Sequence, residues 1–134
     1  DVWSATSYVQ LRRNALACER WNLLHPDEPA RVPLVTQKLK DVPGPFIAVS
    51  DYMKIVPEQI SRWVPGGLYV LGTDGLGRSD TRESLRRHFE VDAECIVLAV
   101  LSQLVAQGTL EKSVLAQAID TLDIDPEKLD PSVA

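Results

Sequence analysis

The segment Gly72-Thr73-Asp74-Gly75-Leu76-Gly77-Arg78-Ser79-Asp80-Thr81-Arg82-Glu83 joins a short apolar run, Leu68-Tyr69-Val70-Leu71, to a helical pattern over 81–89. Three glycines in six positions permit positive φ and close backbone approach. Asp80 with Glu83 three residues later reads as a helix start of the capping-box kind. A glycine turn leading from a strand into a helix is where α/β proteins collect exposed amide donors and helix-dipole charge. The turn is therefore suited to present itself to a ligand or to another piece of protein.

Outward from this turn, the punctuation is dense. Pro65-Gly66-Gly67 precedes the apolar run, and Pro43-Gly44-Pro45 precedes a second one, Phe46-Ile47-Ala48-Val49, of buried-strand type. Ser50 and Asp51 open a helix between the two runs, restarted at Pro57 and reaching about Trp63. Further upstream, Val2-Trp3-Ser4-Ala5-Thr6 reads as a strand. Ser7 and Gln10 form a capping box for a helix with Leu11, Ala15 and Cys18 at helical spacing. That helix ends before Pro26, because the residue preceding a proline avoids the α region. Residues 25–33 contain Pro26, Pro29 and Pro33 and read as a fixed loop, followed by a short helix over 35–39. The order β-α-β-α-β points to a parallel sheet with helical faces.

Downstream, Asp92 caps a helix over 93–107, with Val91 and Ile96 in hydrophobic-staple spacing. That helix is apolar on nearly every side, which predicts burial, in part against a neighbouring domain or subunit. Gly108 ends it. A last helix over 110–122 carries one apolar stripe, and the tail 125–134, with two prolines, is expected to be extended.

Composition sets limits. At 134 residues the chain is expected to form one domain burying roughly two thirds of its unfolded surface. A net charge of −5 argues against general nucleic-acid or anionic-membrane binding, both of which need basic surface. Cys18 and Cys95 are too few and too far apart for a metal or redox motif, and read as reduced core thiols of a cytoplasmic protein. Neither a signal peptide nor a spanning segment is visible. The chain opens with Asp1 and a strand-like run, so it is expected to be a fragment of a longer protein.

Candidate chemistry is sparse. The spacing of Gly72, Gly75 and Gly77 is not that of a dinucleotide fingerprint, and a P-loop needs a Lys followed by Ser or Thr. An anion cradle and a purely structural turn both remain open. Arg78, Arg82 and Arg86 are four apart and share a face if one helix holds all three. The acid opposite them is a ligand carboxylate or phosphate, another subunit's carboxylates, or the nearby Asp74, Asp80 and Glu83. Arg87 and His88 extend the positive end, where cations complement a helix C-terminus. His25, in a His-Pro loop, reads as a structural hydrogen-bonder. No metal-ligand cluster is present, and Asp120, Asp123 and Asp125 lack the spacing of a calcium loop. No self-sufficient active site emerges.

Three strings in order, Cys18-Glu19-Arg20-Trp21-Asn22 with Leu24-His25-Pro26, Val49-Ser50-Asp51-Tyr52-Met53-Lys54, and Gly72–Glu83, make the chain resemble one family over its whole length. The family is that of the homodimeric, thiamine-diphosphate-dependent decarboxylases of bacterial pyruvate dehydrogenase complexes, specifically their C-terminal domain. The resemblance implies a transketolase-like three-layer α/β/α sandwich with a mostly parallel, five-stranded sheet, here without its opening strand–helix unit. It implies that thiamine diphosphate and Mg2+ are bound by other domains of the parent. It also implies that the partners are those domains, a second subunit and the lipoyl acyltransferase. No catalytic, cofactor or metal residue carries over to this chain. Gly72, Asp74, Gly75, Gly77, Arg78, Asp80, Arg82 and Arg86 are then a candidate contact loop in a structural, subunit-packing domain. An independent anion-binding regulatory module and a docking scaffold are the rival readings. Leu76 stands where the family commonly has Phe.

Overall fold

The computed structural model describes residues 1–134. Six helices and two strands follow one another as α1 Tyr8–Leu24, α2 Leu34–Leu39, β1 Ile47–Val49, α3 Ile55–Glu58, β2 Tyr69–Leu71, α4 Arg82–His88, α5 Ala93–Ala106 and α6 Lys112–Thr121. A 3-10 turn at Ser61–Trp63 separates α3 from β2. The strands are parallel, pairing Ile47 with Tyr69, Ala48 with Val70 and Val49 with Leu71. The parallel pairing of β1 and β2 across α3 agrees with the α/β expectation, but the first strand of the expected β-α-β-α-β order is missing and the sheet has two strands instead of five.

Alternation along the strands makes three layers. Neighbouring side chains point to opposite faces, so Phe46 and Leu68 join Val35, Ile60 and Val64 in one cluster with Tyr8 and Leu11 of α1. Ile47 and Leu71 join Val91, Phe89, Ile96 and Ala99 in the other. α5 packs on both strands and α6 packs on α5.

Helix ends follow local chemistry. Ser7 Oγ accepts the Gln10 amide, and Asp92 Oδ1 accepts the Cys95 amide, so both caps form where the residue types call for them. Asp80 is not the cap of α4. Its carboxylate accepts the Thr81 amide, and Thr81 Oγ1 accepts the Ser84 amide, which moves the helix start one residue on. Ser50 and Asp51 form a turn instead of a helix, with Ser50 Oγ accepting the Tyr52 amide; α3 is confined to Ile55–Glu58.

One expected strand is missing and one helix is incompletely covered within this chain, for one reason, a shortage of neighbours. Val2–Thr6 forms no strand, and Val2 and Trp3 are exposed; an extended segment becomes a strand only beside another edge. α5 is not covered all round: Ala99 alone is buried, and Val97 is 45% exposed. The accessible surface is 9395 Å². A compact monomer of this mass would expose roughly 7,000 Å², so burial falls short of the expected two thirds. The tail is also not extended; it folds back in turns and buries Pro131.

Candidate functional site

The glycine loop meets two other segments. A Cβ on Gly72 would lie 2.7 Å from the Tyr52 carbonyl oxygen and 2.8 Å from the Lys54 nitrogen, so only glycine lets segment 52–54 approach. Thr73 donates its amide to the Tyr52 carbonyl (3.0 Å) and its hydroxyl to the Asp51 carbonyl (2.8 Å). The Lys54 amide donates to Asp74 Oδ2 (3.1 Å), which meets an orphan donor at the start of α3. Gly75 has a φ of 114° and faces the backbone of Pro131. Gly77 has open space around it. Two of the three glycines therefore serve close packing inside the domain.

The arginines divide differently from their spacing. Helix α4 begins at Arg82, so Arg82 and Arg86 share a face while Arg78 lies in the loop before it. All three are exposed, and none of the ion pairs of the structure includes them. Asp74 is occupied by Lys54 and Asp80 by Thr81.

Arg87, beside them, is the residue whose role spacing did not reveal. One Nη donates to Asp92 Oδ2 (3.0 Å), the other to the carbonyls of Leu122 (3.1 Å) and Asp123 (2.7 Å). One planar fork thus ties the end of α4, the start of α5 and the end of α6, a geometry a lysine cannot copy. Burial pushes the Asp92 carboxyl up, but the Cys95 thiol, the Cys95 amide and the Arg87 guanidinium outweigh it and hold the carboxyl below its ordinary range. Burial and the hydrogen bond with Asp92 push the Cys95 thiol up to about 12, which removes it as a nucleophile near neutral pH.

Lys128 from the tail, not His88, is the cation at the end of α4. Its Nζ donates to the carbonyls of Arg87 (3.1 Å) and His88 (2.7 Å) and to Glu90 Oε1 (3.0 Å). His88 lies edge-on to Phe89 with its Nε2 buried and unpartnered. Burial, then the positive charges of Arg78 and Lys128, lower its pKa. His25 Nδ1–H donates to the Trp21 carbonyl at 2.8 Å, a structural bond.

Thiamine diphosphate and Mg2+ do not fit the residues present. A diphosphate at the glycine loop would face the Pro131 carbonyl oxygen, an acceptor where a donor is needed, and Thr73 already uses its amide. No three His, Cys, Asp or Glu side chains converge as a metal site. No catalytic step is derived through either group.

The model of the transketolase-like TK C-terminal domain matches residues 1–92. The chain is 50% identical over 135 residues to the pyruvate dehydrogenase E1 component of Escherichia coli (strain K12), covering 100% of this chain and 15% of that protein. It is 54% identical over 125 residues to the component of the same name from Mycolicibacterium smegmatis, covering 93% and 14%. For the one from Pseudomonas aeruginosa the identity is 52% over 132 residues, covering 98% and 15%. The chain thus spans about 15% of the length of the curated relatives it matches. With a parallel strand pair, helices on both faces and a glycine turn into α4, the chain belongs to the transketolase-like C-terminal domain family and is similar, along nearly all its length, to pyruvate dehydrogenase E1 components.

Proposed function

We propose that residues 1–134 are a single, non-catalytic packing domain of a longer thiamine-diphosphate-dependent pyruvate dehydrogenase component. The parent decarboxylates pyruvate and passes the two-carbon unit to lipoyl groups of an acyltransferase. It does so as a cytoplasmic homodimer whose cofactor and Mg2+ are held by other domains. The observation that carries this reading is the surplus surface: 9395 Å² accessible against roughly 7,000 Å² for a compact monomer of this mass. Large apolar side chains lie on this surface, with Val97 of α5, Val49 and Tyr69 of the strands, and Tyr52, Met53 and Ile55 all exposed. Such faces gain by being covered.

Within this reading, Gly72, Asp74 and Gly75 shape the loop from inside, and Gly77, with open space around it, lies on its outer side. Arg78, Arg82 and Arg86, with Asp80 beside them, face outward to carboxylates of the second subunit or the cofactor-bearing domains. Three exposed guanidinium groups without internal partners support this. The rival anion-binding module is disfavoured by the Pro131 carbonyl at Gly75.

The test has two arms. The purified chain, given pyruvate, thiamine diphosphate and Mg2+, is expected to release no carbon dioxide; release above a buffer control overturns the reading. In the full-length polypeptide, Arg78→Ala with Arg82→Ala is expected to weaken dimerisation by sedimentation while leaving thiamine diphosphate affinity per dimer intact. An unchanged dimer constant removes the arginine face from the interface.

A further inference from the structure

Away from the glycine loop in sequence, α1, the loop 30–32 and the end of α2 line a broad, open groove of about 630 Å³. We propose that this groove docks an acidic segment of a partner polypeptide, with a carboxylate on Arg31 and an apolar side chain on Val32.

The groove is cationic in an acidic chain. Arg31 and Lys40 line it together with Asn14, Gln37, Cys18 and Val32, and no Asp or Glu does; the chain as a whole carries −5. Arg31 is positioned in advance. Its guanidinium carbon lies 4.0 Å from the centre of the Trp21 ring, a cation–π contact. Its backbone is held at both polar atoms by Asn22, whose Oδ1 accepts the Arg31 amide (2.7 Å) and whose Nδ2 donates to the Arg31 carbonyl (2.9 Å). Trp21 is itself stacked on His25 at 4.3 Å with an angle of 10° between the rings. Yet no carboxylate of this chain pairs with Arg31. A forked donor with both backbone and head group fixed loses little entropy on meeting a carboxylate.

The other walls add to the match. Lys40 reaches only Asp41, at 3.9 Å with both side chains largely exposed, a pairing too weak to withhold its charge. Val32, which lines the groove with the two cations, is 43% exposed. The polar groups of the floor are partly engaged: Asn14 Oδ1 accepts the Leu34 amide and Gln37 Nε2 donates to the Val32 carbonyl, leaving the floor rigid. The opening is too broad to enclose a small anion, since small-ligand sites bury most of their ligand's surface. A peptide spanning both cations and covering Val32 suits it better, and opposite charge would speed its arrival.

The experiment uses the full-length polypeptide that carries this chain and a fluorescein-labelled peptide of alternating Glu and Leu, read by fluorescence anisotropy. Saturable binding is expected, weakened by added salt and reduced about tenfold in the double variant Arg31→Gln/Lys40→Gln, the sum of two exposed charge contacts. Lys40→Gln alone, at an exposed side chain with no structural bond beyond Asp41, is expected to give part of that loss without altering thermal unfolding. Lys112→Gln, at an exposed lysine of α6 outside the groove, is expected to leave peptide binding unchanged. No saturable binding overturns the proposal, as does binding that ignores both groove variants. So does displacement by equimolar inorganic phosphate, which would mark a small-anion site instead.

Discussion

The backbone of Pro131 occupies the space that a side chain on Gly75 would need. The Pro131 carbonyl carbon lies 3.0 Å from the position of a Gly75 Cβ, and its oxygen is nearer still. With a φ of 114° as well, Gly75 is constrained twice, by conformation and by the tail. Gly75→Ala is expected to lower stability by about 2–3 kcal/mol. Gly77→Ala, in open space with no positive φ, is expected to change it by less than about 0.5 kcal/mol. Urea unfolding of both variants checks this, and equal effects would show that the tail does not clamp the loop.

Arg87 holds three helix ends with one guanidinium. Removing it leaves Asp92 without its cation and the last carbonyls of α6 without their donor. Arg87→Ala is expected to cost about 2–3 kcal/mol, because hydrogen bonds to charged groups are lost and partly buried acceptors are stranded. Arg87→Lys should recover less than half, since an ammonium cannot reach Asp92 and the α6 carbonyls in one plane. Full recovery by lysine, measured by thermal unfolding, would reduce the fork to simple charge.

Acid is expected to weaken the fold in two stages. His88 is held below its ordinary 6.5 in the folded chain, so the unfolded chain takes up its proton first and stability falls as the pH drops through that value. Asp92 is held below 3.8; its contribution is present above that value and lost as the pH falls through the folded one. His88→Gln should abolish the first stage and Asp92→Asn, which keeps a capping oxygen, should shrink the second. Urea midpoints followed across the acid range decide it: a first stage that survives His88→Gln belongs to another group.

Asp123 ends α6 with a φ of 51°, in the left-handed region. Its backbone carbonyl serves Arg87, while its side chain makes no hydrogen bond or ion pair in the structure. Asp123→Gly is expected to raise stability by about 0.5–1 kcal/mol, the relief of left-handed strain less the added freedom of the unfolded chain. A lower melting temperature would mean that the Asp123 side chain contributes through solvent.

Residue types alone determined whatever depends on near neighbours in the chain. Ser7 and Asp92 announced the starts of α1 and α5 because a short side-chain oxygen can satisfy an amide three residues on. Pro26 stopped α1 through its own ring. The apolar runs before and after α3 became a parallel pair because the helical crossover between them brings the chain back to run in the same direction. What only the tertiary structure decided were partnerships across long separations. Spacing could not show that Pro131 would close over Gly75, or that Lys128 would displace His88 as the cation at α4. Nor could it show that Arg87 would join α6, or that Trp21 and Asn22 would set Arg31 in place. A side chain's type fixes what it can bond. Which of several adequate partners it meets depends on how the packed layers bring distant backbone together, as they do where Val2–Thr6 finds no edge to pair with and stays without strand structure.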